Sequence, residues 1–369
     1  MRIKEVSLQS FRNLHQLHIT PAAGINVIYG DNAQGKTNFL EALYFCAMGK
    51  SLRGNSDQQM IGFGAEESHI RTLIESGKRQ ERIDVHLKRK EKKGIAINGL
   101  PVKKLEELFG TMYAVVFSPE DLSLIKDGPA ERRRFLDMEL CQLNKVYSFD
   151  LQQYHHILKQ RNNLLKQIQK KPELIESLSM WDMQLTMYGE RVIDARKRFI
   201  EQLDKIAAEK LSALTGGRDS LQTVYKPSCE AEQLSEKLKR NQERDIFFGA
   251  TQSGPHKDDI FFAVNGKEVR IYGSQGQQRT TALAARLAEI DLIQEETGED
   301  PILLLDDVFS ELDENRQRFL LESIGDLQAF ITCTGIEDSI KKYIGADNLF
   351  YVENGQITPQ GEKDERDTF

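Results

Sequence analysis

Eight consecutive residues of this chain have the types and spacing that bind the phosphates of a nucleotide. They are Gly30-Asp31-Asn32-Ala33-Gln34-Gly35-Lys36-Thr37, which match G-x-x-x-x-G-K-[ST] at every fixed position. The glycines lack the Cβ atom that would hold backbone N–H donors away from a phosphate, and Lys36 supplies an ammonium to the β- and γ-phosphates. The Thr37 hydroxyl is a hard oxygen ligand for Mg²⁺. We therefore predict that residues 30–37 all bind ATP, and that Mg²⁺ accompanies it.

A strand that ends in carboxylates can supply the second half of such a site. The apolar run from Pro301 to Leu305 is followed directly by Asp306 and Asp307. In P-loop enzymes one carboxylate holds Mg²⁺ through its water shell, and a second polarises the attacking water. We predict that Asp306 and Thr37 are the metal ligands, and that Asp307 and Lys36 are the catalytic residues.

A serine at the start of a helix lies between these two stretches. The segment Tyr272-Gly273-Ser274-Gln275-Gly276-Gln277-Gln278 opens a helix that we expect from Thr280 to about Glu296. Ser274 and Gln277 have the spacing of a capping box, whose only role would be to start that helix. The segment also resembles the signature motif of ABC-type ATPases, in which a serine and a helix N-terminus bind γ-phosphate. Because of its position in the chain, we predict that Ser274, Gly276 and Gln277 bind nucleotide.

Short strands and a helix position the phosphate loop. The run Ile25 to Tyr29 is typical of a buried strand, and Asn38 to Leu43 continues as a helix whose N-terminus favours anions. Two earlier strands are predicted from Ile3 to Ser10 and from Gln16 to Thr20. The phosphate loop is therefore expected to follow a small set of sheet strands.

Five polar side chains outside these motifs are further candidates. Arg12 and Asn13 lie in the turn one hairpin before the phosphate loop, and we predict that they contact the nucleotide. For Arg12 the alternative is an ordinary solvated turn residue. Glu120 and Asp121 follow another apolar run, so they either help to place metal or water, or cap a helix. His256 is expected to shape a loop near the site, the alternative being a hydrogen-bonded structural histidine.

The middle of the chain changes to a helical pattern. From about residue 130 to 215 apolar residues recur every three or four positions, with Arg161 as the one polar position of the first stripe. Two antiparallel helices of unequal length fit this pattern, the longer about 50 Å at 1.5 Å per residue. The predicted fold is α/β: an ABC-type P-loop ATPase head of mixed sheets and helices, with an inserted α-helical arm. The predicted domains are residues 1–125 and 241–369 for the two parts of the head, and 126–240 for the arm.

Composition narrows the class of protein. The chain has 369 residues, 39% hydrophobic and 29% charged, which suits a globular protein with long exposed helices. It contains no run of eighteen apolar residues, so no membrane partner is expected. Its 4 cysteines form no C-x-x-C pair, which argues against a zinc site or a disulfide framework and indicates a reducing, cytoplasmic location.

Any nucleic-acid site must be a local basic patch, because the formal net charge is −7. Two clusters qualify. One is the loop Lys88-Arg89-Lys90-Glu91-Lys92-Lys93, which precedes a hairpin with an Asn98-Gly99 turn, and the other is Glu131-Arg132-Arg133-Arg134. Charge runs of this kind are usually solvated or salt-bridged, so DNA contact and a plain surface both remain open for each cluster.

Five stretches together resemble the RecF family, within the SMC-like ABC-type ATPases. They are Phe11-Arg12-Asn13, Phe117-Ser118-Pro119-Glu120-Asp121-Leu122, Arg132-Arg133-Arg134-Phe135-Leu136-Asp137, Ser253-Gly254-Pro255-His256-Lys257-Asp258-Asp259 and Leu304-Leu305-Asp306-Asp307-Val308-Phe309-Ser310-Glu311-Leu312-Asp313. The resemblance implies an ATP-dependent homodimer that binds single-stranded, double-stranded and gapped DNA in recombinational repair and replication restart. It further implies that the protein works with RecO and RecR to place RecA on single-stranded gaps. The alternatives are a nucleotide-binding energy subunit without a DNA role and a small-molecule phosphotransferase.

Three departures from the wider ABC pattern point to a weak ATPase. Asp307 stands where transporters usually carry glutamate, and Cys333-Thr334-Gly335 stands where they have a switch histidine. No loop glutamine is obvious near Ser118. Because Thr334 is neither charged nor basic toward γ-phosphate, we expect slow, Mg²⁺-dependent hydrolysis, with ATP acting as a conformational switch.

Overall fold

The computed structural model describes residues 1–335 and 348–359. Its contacts divide the chain into two compact units. The first, here the head unit, is Met1–Asp121 with the chain from Glu289 onward, and the second, here the insert unit, is Leu122–Ala288. The segment 241–288, which the sequence pattern placed in the head, therefore packs in the insert unit. The physical reason is strand pairing, since Asp259–Val264 pairs antiparallel with Leu221–Lys226.

The elements of the described residues are numbered in chain order. The strands are β1 (Arg2–Phe11), β2 (Leu14–Ile19), β3 (Ile25–Tyr29), β4 (Glu67–Ser76), β5 (Arg79–Lys88), β6 (Gly94–Ile97), β7 (Leu100–Pro101), β8 (Ala114–Phe117), β9 (Leu221–Lys226), β10 (Asp259–Val264), β11 (Lys267–Glu268), β12 (Ile302–Asp306), β13 (Ala329–Cys333), β14 (Leu349–Glu353) and β15 (Gln356–Pro359). The helices are α1 (Lys36–Met48), α2 (Leu122–Lys126), α3 (Pro129–Leu143), α4 (Lys145–Ile168), α5 (Leu178–Thr215), α6 (Leu234–Arg240), α7 (Gln242–Phe248), α8 (Val269–Tyr272), α9 (Gln275–Thr297) and α10 (Glu314–Ile324). Within the described ranges, no helix has both the length and the apolar character that crossing a membrane requires.

A largely parallel sheet forms the core of the head unit. Its strand order is β15-β14-β3-β13-β12-β8, and only β15 pairs antiparallel. Every residue of β8, β12 and β13 is buried, as expected for parallel strands that are covered on both faces. The strands β3, β13 and β12 are parallel neighbours, so their carboxyl ends meet at one edge of the sheet. The phosphate loop after β3 and the carboxylates at the end of β12 therefore lie at this same edge.

A second, antiparallel sheet of the head unit has the order β2-β1-β4-β5-β6-β7. The predicted strands near residues 3–10 and 16–20 are confirmed as β1 and β2. The Asn98-Gly99 turn joins β6 to β7 with φ of 54° and 81°. A two-residue hairpin turn of this hand requires positive φ at both positions, which explains the Asn-Gly pair.

Helices α4 and α5 dominate the insert unit. The end of α4 packs against the start of α5 through Leu165, Ile168 and Leu178, so the two helices run antiparallel as predicted. At 38 residues α5 is about 57 Å long. The polar position Arg161 is fully buried and forms ion pairs with Asp182 at 2.6 Å and Asp245 at 2.7 Å. This position of the apolar stripe therefore belongs to a buried ion cluster.

The sequence pattern predicts a hairpin of Ile260 to Val264 and Val269 to Tyr272, joined at Asn265-Gly266, and the structure forms it only in part. The first strand is present as β10, and the second is limited to Lys267 and Glu268. Val269–Tyr272, predicted as strand, forms the helical turn α8. Val269 is buried, whereas Ile271 and Tyr272 are both exposed, so this segment lacks the alternating burial of a half-buried strand.

Candidate nucleotide site

The phosphate loop joins β3 to α1 with a backbone that only glycine adopts easily. Gly30 and Gly35 have φ of 149° and 117°, and α1 begins at the next residue, Lys36. A Cβ atom at Gly30 would lie 2.3 Å from the carbonyl oxygen of Val352, and one at Gly35 would lie 2.7 Å from Asn13 Oδ1. Close packing against backbone therefore requires glycine at position 30, and the positive φ disfavours any larger residue at position 35.

Lys36 is held inside its own loop. Its Nζ donates hydrogen bonds to the carbonyl oxygens of Gly30 at 2.7 Å and Asp31 at 2.8 Å. Burial lowers the pKa of Lys36, and the nearby carboxylates of Asp307 and Asp306 oppose that shift. The two carbonyl groups thus only partly compensate the ammonium for its loss of water. The charged oxygens of a phosphate would be stronger acceptors than these carbonyls.

The structure brings the two predicted metal ligands together. The Thr37 hydroxyl donates to Asp306 Oδ1 at 2.7 Å, and Asp306 is buried at the end of β12. A hydroxyl and a carboxylate are hard oxygens that suit Mg²⁺. No group of three or more His, Cys, Asp or Glu side chains in residues 1–335 and 348–359 has metal-binding geometry. A Mg²⁺ site does not require such a group, because this ion is usually held by one or two carboxylates together with substrate phosphates.

Asp307 has an unusual backbone conformation. Its φ of 51° lies in the left-handed region, which costs a non-glycine residue about 1 kcal/mol or more. Its N–H donates to the carbonyl oxygen of Thr332 at 3.2 Å and to Thr332 Oγ1 at 3.0 Å. Such strain concentrates at functional positions, and this residue is the predicted partner of the attacking water.

Arg12 and Asn13 support the phosphate loop from the β1–β2 turn. Arg12 Nη2 lies 2.7 Å from Oε2 of Glu41, a fully buried carboxylate in α1. Asn13 Nδ2 donates to the carbonyl oxygen of Ala33 at 3.2 Å, and its Oδ1 accepts from Asn38 Nδ2 at 2.7 Å. Both side chains therefore have structural partners, and their contact with the nucleotide stays a prediction.

Glu120 and Asp121, the acidic residues that follow β8, make different contacts. Asp121 Oδ2 accepts the backbone N–H of Ser118 at 2.8 Å, which is the capping alternative. Glu120 Oε1 lies 3.6 Å from Nε of Arg53, whose Nη2 lies 3.9 Å from Asp306 Oδ2. Arg53 thus connects the end of β8 electrostatically to the carboxylate at the end of β12.

The predicted signature residues lie at the start of α9. The backbone N–H of Ser274 donates to Gln277 Oε1 at 3.1 Å, and the Gln277 N–H donates to Ser274 Oγ at 3.2 Å. The capping box is therefore present, and it starts the helix at Gln275, earlier than the expected Thr280. Ser274 itself is exposed, and the role of Ser274, Gly276 and Gln277 toward a nucleotide stays a prediction.

His256 has a structural role in the insert unit. Its Nδ1 lies 2.6 Å from the Tyr154 hydroxyl, and its Nε2 lies 3.0 Å from the carbonyl oxygen of Thr251. Burial lowers the pKa of His256 to about 4, so the ring is neutral at physiological pH. The alternative of a hydrogen-bonded structural histidine is therefore confirmed, and the position of its loop near the nucleotide stays a prediction.

The two basic clusters differ in how many of their basic side chains are paired with other groups of the protein. Arg132 is buried and pairs with Asp259 at 2.6 Å, and Arg133 donates to the carbonyl oxygen of Asp258 at 2.7 Å. In the loop after β5, by contrast, Lys90 and Lys92 are exposed and form no ion pair within the described part of the chain. The salt-bridged interpretation therefore holds for most of the Arg132 cluster, whereas the β5–β6 loop keeps free basic side chains.

Comparisons with known proteins agree with this geometry. Residues 2–357 match the family model described as RecF/RecN/SMC N terminal domain. The chain is 49% identical over 357 residues to the DNA replication and repair protein RecF of Agathobacter rectalis, covering 97% of this chain and 99% of that protein. It is 47% identical over 359 residues to the protein of the same name from Lachnospira eligens, with 97% and 99% covered.

Solved structures show the same relationship. The recombination mediator protein RecF-ATPrS of the RecFOR pathway superposes with a TM-score of 0.90 at 36% identity, covering 97% of this chain and 98% of that one. The Smc head domain of Pyrococcus furiosus, bound to the C-terminal domain of ScpA, matches with a TM-score of 0.55 at 15% identity over 96% and 95% of the two chains. That second likeness is one of fold alone.

Proposed function

The chain belongs to the RecF family of DNA replication and repair proteins, and on this basis we propose that it is an ATP-dependent DNA-binding protein of recombinational repair and replication restart. ATP closes a head-to-head homodimer on DNA, and slow hydrolysis reopens it. In the closed form the protein helps RecO and RecR to load RecA at single-stranded gaps. The observation that carries the proposal is the meeting of Lys36, Thr37 and Asp306 at one edge of the parallel sheet, in a chain that matches ATP-bound relatives over nearly its whole length.

One copy of the chain supplies the cis half of the site. The loop from Gly30 to Lys36 offers its backbone N–H groups and one ammonium to the phosphates of ATP. Thr37 and Asp306 would hold Mg²⁺, which when bound neutralises charge on the β- and γ-phosphates. The donor set fits this ion, because the hydroxyl and the carboxylate already lie within hydrogen-bond distance of each other.

A second copy supplies the trans half. The N-terminus of α9 is exposed at Ser274, and helix N-termini bind anions. Two apolar side chains directly before it are also exposed, Ile271 at 58% and Tyr272 at 69%. In the proposed dimer these side chains are buried against the partner while Ser274 reaches the γ-phosphate. Two-fold symmetry then produces two identical composite sites.

Hydrolysis is the step that reopens the dimer. The Asp307 carboxylate accepts a proton from the attacking water, and it is one methylene shorter than the glutamate of transporters. Thr334 cannot act as a base in place of a switch histidine. Turnover is therefore slow, and loss of the γ-phosphate removes the charge that holds the partner's helix N-terminus.

The β5–β6 loop is the proposed DNA contact. Lys90 and Lys92 are its exposed charges without an ion pair in the described chain, whereas Arg132 and Arg133 are committed to partners in the insert unit. Contacts from lysine to DNA phosphates release counterions, so they make binding depend on salt without selecting a sequence.

Binding of a gapped duplex tests this function. Retention should be strong with ATP and weak with ADP, and the affinity should fall with rising salt. The double variant Lys90→Ala/Lys92→Ala should flatten the slope of log K against log[salt] by about 2, because each phosphate that a lysine neutralises contributes about 0.9 to that slope. The measurement is fluorescence anisotropy of the labelled duplex at several salt concentrations.

The matched control is Lys170→Ala/Lys171→Ala, two exposed lysines after α4, which should leave the slope unchanged. An unchanged slope in the Lys90/Lys92 variant would place the DNA contact elsewhere. If the protein does not retain DNA in either nucleotide state, the DNA-binding proposal fails. The alternative of an energy subunit without a DNA role would then be favoured.

A further inference from the structure

Thr332 lies at the centre of the carboxylate end of the parallel sheet. It is 1% exposed on β13, directly opposite Asp306 in the register of β12 and β13. Its hydroxyl donates to Asp306 Oδ1 at 2.7 Å and accepts the N–H of Asp307 at 3.0 Å. A threonine hydroxyl has one donor and two acceptor positions, so both bonds form at the same time.

The first bond fixes the orientation of Asp306. The terminal torsion of an aspartate is broad, so its two oxygens exchange easily unless they are held. Here Oδ1 accepts two hydroxyls, from Thr37 and from Thr332, each at 2.7 Å. The other oxygen, Oδ2, faces Arg53 at 3.9 Å. If the Thr332 hydroxyl were removed, Oδ1 would keep the hydrogen bond from Thr37 alone among the described residues.

The second bond fixes the backbone of Asp307. This residue has a left-handed φ of 51°, a conformation that persists only where surrounding contacts enforce it. Its N–H is shared between the hydroxyl and the carbonyl oxygen of Thr332, at 3.0 Å and 3.2 Å. The neighbouring strand therefore holds the turn from which the Asp307 side chain emerges.

We propose that Thr332 is a positioning residue for ATP hydrolysis, which holds the metal-side carboxylate Asp306 and the water-side carboxylate Asp307 in a fixed relation. This inference rests on the proposed ATP site. Thr332 touches neither the phosphates nor the water in this scheme, and it acts only through the two aspartates. Its replacement should therefore reduce the rate of hydrolysis and the affinity for Mg²⁺ far more than it reduces ATP binding.

The experiment compares Thr332→Val, which removes the hydroxyl at nearly constant shape, with Thr332→Ser, which keeps it. We expect Thr332→Val to slow single-turnover ATP hydrolysis by about 10- to 100-fold, the range for one hydrogen bond to a charged group. The Kd for a non-hydrolysable ATP analogue at saturating Mg²⁺ should change less than about threefold, while the Mg²⁺ concentration needed for half-maximal binding should rise. Thr332→Ser should remain close to the wild type in every readout.

The control is Thr72→Val, which removes a buried hydroxyl in β4 of the antiparallel sheet and should match the wild type. The inference is overturned if Thr332→Val behaves like this control, or if analogue affinity falls in parallel with the rate. Should Thr332→Val not fold, Thr332→Ala against Thr332→Ser provides the same contrast, since both lack the methyl group. If the wild type shows no hydrolysis, the hydrolytic part of the proposed function fails, and the Mg²⁺ titration of analogue binding still decides the role of Thr332.

Discussion

Replacing Lys36 with methionine should abolish ATP binding, with the Kd rising at least about 100-fold. The ammonium is the loop's one side-chain cation, and hydrogen bonds to charged phosphate oxygens are worth about 1.5–3 kcal/mol each. Methionine has a similar length but no charge and no donor. Burial lowers the pKa of Lys36, so its charged form is less favourable here than in water, and removing it offsets the loss of its two hydrogen bonds to the loop carbonyls. The thermal unfolding midpoint should therefore change little. Titration with a fluorescent ATP analogue measures the effect.

Lys78→Met is the matched control for this change. Lys78 is an exposed lysine in the turn between β4 and β5, and its replacement should leave the Kd unchanged. If Lys36→Met binds the analogue within a few-fold of the wild type, the nucleotide does not lie on the Gly30–Thr37 loop, and the site assignment is wrong.

Replacing Ser274 with arginine should keep ATP binding within about threefold but abolish ATP-dependent dimerisation. In the proposed composite site the nucleotide is held by one copy's phosphate loop, and Ser274 of the other copy approaches its γ-phosphate. Where a nucleotide is bound, the arginine side chain takes the space of the γ-phosphate, so the two copies cannot close on it, and the hydroxyl that would bond the phosphate is also removed. Light scattering with and without ATP measures the assembly, and analogue titration measures the binding.

Two controls separate this effect from damage to the helix. Ser274 caps α9 through the box with Gln277, so its replacement costs about 1 kcal/mol of stability in any variant. Ser274→Ala carries that cost without the bulk, and should weaken the dimer less than arginine does. Ser235→Arg adds the same side chain at an exposed position of α6 and should dimerise like the wild type. A tight ATP-dependent dimer from Ser274→Arg would contradict the trans role.

The phosphate loop and its strand were predictable because their signals are local. The spacing of Gly30, Gly35 and Lys36 fixes the loop, and the five-residue apolar run before it fixes β3. The pairing of Thr37 with Asp306 was predictable because P-loop enzymes need a carboxylate beside the phosphate loop to hold Mg²⁺, and Asp306 ends an apolar strand. These inferences needed no knowledge of which strands are neighbours.

The other features of the site and the fold depend on contacts between residues far apart in the sequence, which no local pattern reveals. Thr332 gave no signal, because its role comes from lying opposite Asp306 once β13 is inserted between β3 and β12. Arg12 reads as a turn residue, and its partner Glu41 lies on the buried face of a helix where a carboxylate is not expected. Likewise, residues 241–288 lie in the insert unit because β10 pairs with β9, a strand that is distant in the sequence.

Mixing the two inactive variants tests the composite site most directly. The Lys36→Met copy keeps an intact Ser274, and the Ser274→Arg copy keeps an intact phosphate loop, so one mixed pair rebuilds one complete site. In the second site of that pair the arginine faces the nucleotide-free loop of the Lys36→Met copy, where no γ-phosphate competes for its space. In sedimentation velocity with ATP, each variant alone should remain a monomer, while the mixture should form a dimer containing one copy of each. A mixture that stays monomeric, while the wild type dimerises with ATP, would contradict a nucleotide shared between two copies.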